Sequence, residues 1–196
     1  MQWDQGAKLF LEALSSDKPT PGGGAAAAMT GAMGCSLVMM AASTTLKRKN
    51  TSQEAHNVLE NVLPILRQGL EQLNYLIRQD AAAYEEYLKA YRLPKTDFAR
   101  ETLVQDALWN AACVPADTAS ICKQILCQAD MLAPFIDKII ISDMYCACHL
   151  LNSAIACCTE NIRANLIYIT EQKRAEKLKQ LLDFFEKGTN NESNPA

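Results

Sequence analysis

Residues 22–46, GGGAAAAMTGAMGCSLVMMAASTTL, contain no charged side chain. The run is several times longer than a strand, so it reads as a helix, and a helix apolar on every side has to be covered on every side. Its length would suffice for a bilayer. But Ala, Gly, Ser, Thr and Met dominate it, and Lys47, Arg48 and Lys49 flank one end only. Small residues contribute little to membrane insertion. The expectation is a central helix buried in a protein core, with no membrane partner. The rest of the chain has to supply what covers it.

That rest also reads as helices. Trp3, Ala7, Phe10, Leu11 and Leu14 share one face of an amphipathic helix over residues 1–14. Residues 15–24, SSDKPTPGGG, form a loop. After the central helix, Val58, Val62, Ile65, Leu66, Leu70, Leu73, Ile77, Tyr84 and Leu88 keep helical spacing over 52–90, with a kink expected at Pro64. RLPKTD at 92–97 breaks the chain. Helical spacing resumes over 98–132, with a break expected at Pro115 and a boundary at Pro134. An apolar helix over 142–169 and a charged one over 171–187 complete the pattern. Almost nothing alternates with period two, and 8 glycines and 7 prolines are too few for a turn-rich sandwich. The expected fold is an all-α, single-domain bundle of about six to eight helices. The domain is expected over 1–188 and a disordered tail over 189–196.

With 49% hydrophobic and 21% charged residues among 196, the chain can bury one self-sufficient core. A net charge of −3 offers no electrostatic footprint for nucleic acid, so none is expected as a partner. The polar start does not read as a signal peptide, and the chain is expected in the cytoplasm with reduced thiols. Its eight cysteines (35, 113, 122, 127, 146, 148, 157 and 158) lie among Ala, Leu and Ile, where a small buried residue fits. Cys146-Ala-Cys148-His149 has metal-ligand residue types, but residues 146 and 148 diverge by about 200° on a helix, and no metal is expected.

Four blocks could carry chemistry. In PTPGGGAAAA, Pro21, Gly22, Gly23 and Gly24 open a helix whose bare N–H groups can hold a carboxylate, a phosphate or a polar heterocycle edge. Equally, the glycines can serve close helix packing. No GK[ST] follows and no strand precedes, so this is neither a phosphate loop of the Walker type nor a dinucleotide fingerprint. In DAAAYEEYLKAYRLPK, Asp80, Tyr84, Tyr87 and Tyr91 fall near one face, either as a site or as a solvated aromatic edge, and Lys95 follows a Leu-Pro turn. In IIISDMYCACHLL, Ser142 and Asp143 stand between apolar runs. Asp143 is expected to turn inward as a functional carboxylate, or else one of the two caps the helix. In ENIRANL, Asn161 returns to the face of Asp143 and Asn165 lies about 40° away, yet Asp143 and Asn161 are about 27 Å apart along a helix. One small site can use both only if a second copy pairs antiparallel across a two-fold axis.

In order and at similar intervals, these blocks, with VQDALWNAACVP at 104–115, resemble the cyclodeaminase/cyclohydrolase family. That family comprises the C-terminal domain of formimidoyltransferase-cyclodeaminase and stand-alone methenyltetrahydrofolate cyclohydrolases. The chain departs from it where Ala25 replaces a serine after the glycines, where Tyr84 replaces a phenylalanine-like residue, and where Ala116-Asp117 follows Val114-Pro115. The resemblance implies an all-helical homodimer acting on a one-carbon-substituted tetrahydrofolate, without metal or redox cofactor. It implies Asp143 or Asp80 as the carboxylate at the reacting carbon, the other holding the pterin through a bidentate bond. Lys95 would protonate the leaving group or bind the glutamate tail. Pro21, the three glycines, Ser142 and Asn165 would bind substrate. The expected activity is formimidoyltetrahydrofolate cyclodeaminase. The alternatives are methenyltetrahydrofolate cyclohydrolase and, from another class, a non-enzymatic helical scaffold.

Overall fold

In the computed structural model, which describes residues 3–189, the uncharged segment is one helix, α2 (Gly23–Leu46). Twelve of its 24 residues are buried, from Gly24 to Thr45. It is long and apolar enough to cross a membrane by length and composition, yet it packs on three other helices. These are α3 (Gln53–Tyr91), α4 (Arg100–Leu132) and α5 (Ile141–Leu166). Before them comes α1 (Trp3–Leu14), and after them α6 (Gln172–Thr189). A 3-10 turn, Ala133–Phe135, joins α4 to α5. Among the described residues there is no strand, so the all-α bundle stands as expected. Of the residues 189–196 expected as a tail, Thr189 closes α6, and residues 190–196, like the first two, lie outside the described residues.

Three glycines let α2 approach its neighbours, each facing a different one. A Cβ on Gly24 would lie 2.0 Å from the Asp80 carboxylate of α3. On Gly31 it would lie 2.6 Å from Cys122 Sγ of α4, and on Gly34 2.7 Å from Leu151 Cγ of α5. Such distances are below contact for any carbon, so the backbone itself is the packing surface at these points. Around them Val38, Leu59, Leu66, Leu73, Leu132, Leu151 and Ile162 are fully enclosed. Gly23 neighbours Asn161, Gly34 neighbours Leu151, and the Asp137 N–H donates to Thr45 Oγ1 at 3.2 Å, so α2 and α5 run antiparallel.

Pro115 does not break α4, contrary to expectation. It is buried inside a continuous helix. A proline in a helix deprives the carbonyl four residues back of its donor. Here that carbonyl is Ala111 O, and the Asn165 side-chain amide of α5 donates to it at 3.3 Å. The orphan acceptor is answered from a neighbouring helix, so the helix need not stop. α3 likewise runs on through Pro64.

The ends are tied locally. Ser52 accepts from Ala55 N at 3.2 Å and caps α3. At the other end of α3, Arg100 donates through Nη2 to Tyr91 O (3.0 Å) and through Nε to Leu93 O (3.1 Å), closing the turn into α4. α6 docks through buried Leu178, Leu182 and Phe185. Arg174 fastens it to Asp106 of α4 at 2.8 Å and lies 5.6 Å from the Trp109 ring centre. α1 lies at the margin, with Leu9 67% and Leu11 61% exposed.

The cysteines divide, where burial was expected throughout. Cys35, Cys122 and Cys158 are buried, Cys113 and Cys148 half-buried, and Cys127, Cys146 and Cys157 exposed, all eight as free thiols. Burial pushes the Cys35 thiol up to about 11 and Cys122 to about 12, so both stay protonated and unreactive.

The packing at Gly31 is testable. Gly31→Ala is expected to cost about 1–3 kcal/mol through overpacking, against at most about 1 kcal/mol gained in helix propensity. Adding Cys122→Ala removes the opposed sulfur and should recover most of the loss. Urea unfolding of the two single variants and the double variant checks this, and simple additivity would remove the contact as the cause.

Candidate active site

α2 begins without a side-chain cap of its own. Its N-cap is Gly22, with φ −118° and ψ −157°, and no hydroxyl or carboxylate from the preceding loop bonds the first turn. The cap comes from α3 instead. Asp80 Oδ2 accepts from Ala25 N at 2.9 Å, across 55 residues of sequence. Gly24 makes this possible, since any side chain there would occupy the carboxylate's place. The positive end of α2 faces a negative charge, the favourable sense.

Two opposing effects act on that carboxylate. Burial raises its pKa above the ordinary value, and the bond from Ala25 N–H lowers it. Burial is the larger, so Asp80 is a stronger base than a solvated aspartate. It is partly, not fully, enclosed. Beside it, Gly23 faces the Asn161 amide group, 3.3 Å from where a Cβ would stand. Asn161 in turn donates to Cys157 O at 2.8 Å. Pro21 and Gly22 are half-buried in the loop leading in, and the Thr20–Pro21 peptide is cis.

The structure thus brings together Asp80, Gly22, Gly23, Gly24 and Asn161, with Asn165 one turn further along α5. Asn165 has a structural task as well, since its amide group holds Ala111 O. Asn161 was weighed in the sequence only for its face relation to Asp143. Its place beside Gly23 depends on the antiparallel register of α2 and α5, which no local pattern reveals.

Ser142 and Asp143 lie elsewhere. Both are in the first turn of α5, at the end where α2 finishes, and about 27 Å of helix separates Asp143 from Asn161. One chain therefore does not place Asp143 and Asp80 in one small pocket. Neither residue is the helix cap: Ile140 holds that position without a side-chain bond, and Asp143 N donates to Ile140 O at 3.1 Å. Ser142 is exposed and Asp143 half-buried rather than turned fully inward, because Met144 and Ala147 take the core-facing positions of that turn. Lys95 is exposed in the turn after α3, whose helix runs about 16 Å past Asp80 before it ends at Tyr91.

Between Asp80 and that turn stand three tyrosines. The Tyr84 and Tyr87 ring centres are 6.3 Å apart, those of Tyr87 and Tyr91 5.6 Å, all tilted. Among the described residues, no group of three or more His, Cys, Asp or Glu side chains converges as a metal site.

Comparison with known proteins agrees with this architecture. The sequence pattern of one family, described as formiminotransferase-cyclodeaminase, matches residues 6–183. A methenyltetrahydrofolate cyclohydrolase of Methylorubrum extorquens is 34% identical over 188 residues, covering 92% of this chain and 89% of its own. A formimidoyltransferase-cyclodeaminase of Gallus gallus is 28% identical over 177 residues, and the chain spans only 32% of its length. Among solved structures, a formiminotetrahydrofolate cyclodeaminase of Thermotoga maritima superposes with a TM-score of 0.84 at 28% identity, covering 93% of this chain and 89% of that one.

The charge on Asp80 should be visible in stability. Its raised pKa means that the native state keeps a proton over a pH range where the unfolded chain has released it. Stability is therefore lost as pH rises through the native value and regained as pH falls. Asp80→Asn keeps an oxygen for Ala25 N–H and removes the charge. It should be at least as stable as the parent at pH 7, with the difference shrinking as pH falls toward the unfolded carboxylate value of about 4. Urea midpoints at the two pH values test this. A variant clearly weaker at pH 7 would mean that attraction to the helix end outweighs burial.

Proposed function

This chain belongs to the formiminotransferase-cyclodeaminase family, and from that premise we propose that it is a folate one-carbon enzyme acting as formimidoyltetrahydrofolate cyclodeaminase. The observation that carries this reading is the Asp80 carboxylate, half-buried, raised in basicity and seated on the opening turn of α2. The bridge nitrogen of the substrate attacks the amidine carbon and loses its proton. The tetrahedral intermediate then gives a proton to its terminal amine, the carbon–nitrogen bond to that amine breaks, and ammonia leaves with methenyltetrahydrofolate as product. Asp80 is suited to take the bridge proton and to stand beside the amidinium charge. The N–H groups of Gly22–Gly24 offer donors to a polar edge of the pterin, and Asn161 and Asn165 offer amides.

A second reading has its own support. The Methylorubrum relative is of nearly the same length and is named a cyclohydrolase. In that reaction water adds to the methenyl carbon and the ring bond to one nitrogen breaks, giving formyltetrahydrofolate. The same carboxylate would take the water's proton.

The proposal includes a homodimer. α2 leaves Met33 47% and Met40 37% exposed, and α5 exposes Tyr145, Cys146, His149 and Cys157. An apolar helix open along one stripe asks for a cover. If two α5 helices pair antiparallel about a two-fold near Asn152, Asp143 of a second copy comes opposite Asn161. The carboxylates of Asp80 and Asp143 would then serve one substrate. Cytoplasmic location completes the reading, supported by eight free thiols.

Methenyltetrahydrofolate absorbance decides between the activities. Accelerated appearance from formimidoyltetrahydrofolate with ammonia release is the expected result. Accelerated loss of added methenyltetrahydrofolate would mean cyclohydrolase, and neither, with no folate bound, would point to a scaffold. Asp80→Asn is expected to lose at least about a hundredfold in kcat. Asp143→Asn should be similarly weak alone. Mixing the two inactive variants through unfolding and refolding should restore about a quarter of the activity if each site draws on two copies. Full activity of Asp143→Asn would remove it from the chemistry.

A further inference from the structure

The last three turns of α3 run past the start of α2 and carry three tyrosines on one face. Counting from Asp80, Tyr84, Tyr87 and Tyr91 lie four, seven and eleven residues on, within about 40° of its direction. Their rings form a continuous tilted stack, with Tyr84 and Tyr87 half-buried and Tyr91 54% exposed. Ala83 and Ala90 are the buried residues of this stretch, and Tyr87 also packs partly against the core. The acidic Glu85 and Glu86 fall on other faces.

The far end of the stack is cationic. The Arg100 guanidinium lies 5.0 Å from the centre of the Tyr91 ring, and Arg92 and Lys95 are exposed in the adjoining turn. From Asp80 to the cap residue Arg92 is about 18 Å along the helix, with Arg92 about 120° round from the tyrosine stripe. The stretch therefore offers, in order, a carboxylate beside bare helix N–H groups, a row of tilted aromatic rings, and a cluster of positive charge. A ligand matching it has a heterocycle rich in N–H at one end, a planar conjugated middle, and carboxylates at the other.

Building on the folate reading above, we propose that Tyr84, Tyr87 and Tyr91 form a stacking rail. They hold the p-aminobenzoyl middle of the substrate and lead its glutamate carboxylates to Arg92 and Lys95. The tyrosines thereby set which substrates bind and in which direction, while the reacting carbon stays at Asp80. Lys95 is a tail-binding residue in this arrangement, not a proton donor to the leaving group. An aromatic stacking partner of this kind contributes a roughly two- to tenfold effect on binding.

The test separates the rail from the reaction. p-Aminobenzoyl-triglutamate, which lacks the pterin and cannot react, is titrated into the full-length protein by calorimetry. Binding is expected, to weaken roughly two- to tenfold in Tyr84→Leu and in Tyr87→Leu, and to survive in Tyr87→Phe. Lys95→Ala should weaken it at low salt and lose that effect at high salt. In turnover, the leucine variants should raise KM for a triglutamyl substrate with kcat within about threefold. They should leave KM unchanged for a 6-(aminomethyl)tetrahydropterin carrying the same one-carbon group, which keeps a bridge nitrogen to attack the amidine carbon but lacks the p-aminobenzoyl ring and the tail. Loss of kcat equal for both substrates would assign the tyrosines to structure or chemistry and overturn the rail. So would absence of fragment binding by the parent protein. Fragment binding without turnover of any folate would overturn the proposed activity and leave the rail standing.

Discussion

Everything in this fold depends on how little side-chain volume α2 carries. With glycine at 24, 31 and 34, its backbone touches a carboxylate of α3, a sulfur of α4 and a leucine of α5 in turn. Three helices can crowd one axis only if that axis is thin. The helices around it supply the large residues it lacks, Leu59, Leu66, Leu73, Leu132, Leu151 and Ile162, so the core is filled from outside inward.

The same thinness makes the site. Gly24 removes a Cβ, the Asp80 carboxylate moves into the freed space, and the bond to Ala25 N follows. A helix start that in most proteins would be capped by its own preceding residue is capped here by a side chain from the next helix. The result couples a structural need to a chemical one. Burial strengthens Asp80 as a base, and the backbone bond fixes where that base points.

Much of this was legible from the residues in order. The uncharged run, the helical spacing and the breaks at 15–24 and 92–97 correspond to real boundaries, because helix periodicity and loop chemistry are local properties. Asp80 and the glycines were legible as separate candidates but not as a contact, since 55 residues lie between Ala25 and Asp80. The break expected at Pro115 was the plain consequence of losing a donor, and it failed because the replacement donor, Asn165, comes from another helix. The division of the cysteines into buried and exposed escaped for a related reason. On helices contacted from several sides, neighbours such as Cys157 and Cys158 face opposite environments, and composition alone does not tell them apart.

Pro115 has a consequence for how the bundle comes apart. A helix without proline can fray and re-form on its own ladder of bonds. α4 has handed one rung of its ladder to Asn165, so its middle is complete only while α5 lies against it. Opening of α5 near its C-terminal end then exposes an unpaired carbonyl in the heart of α4, and the two segments are tied into one unit of exchange with solvent. The hydrogen bond that one residue gives up becomes a clasp between two helices, next to the turn where Asn161 meets the start of α2.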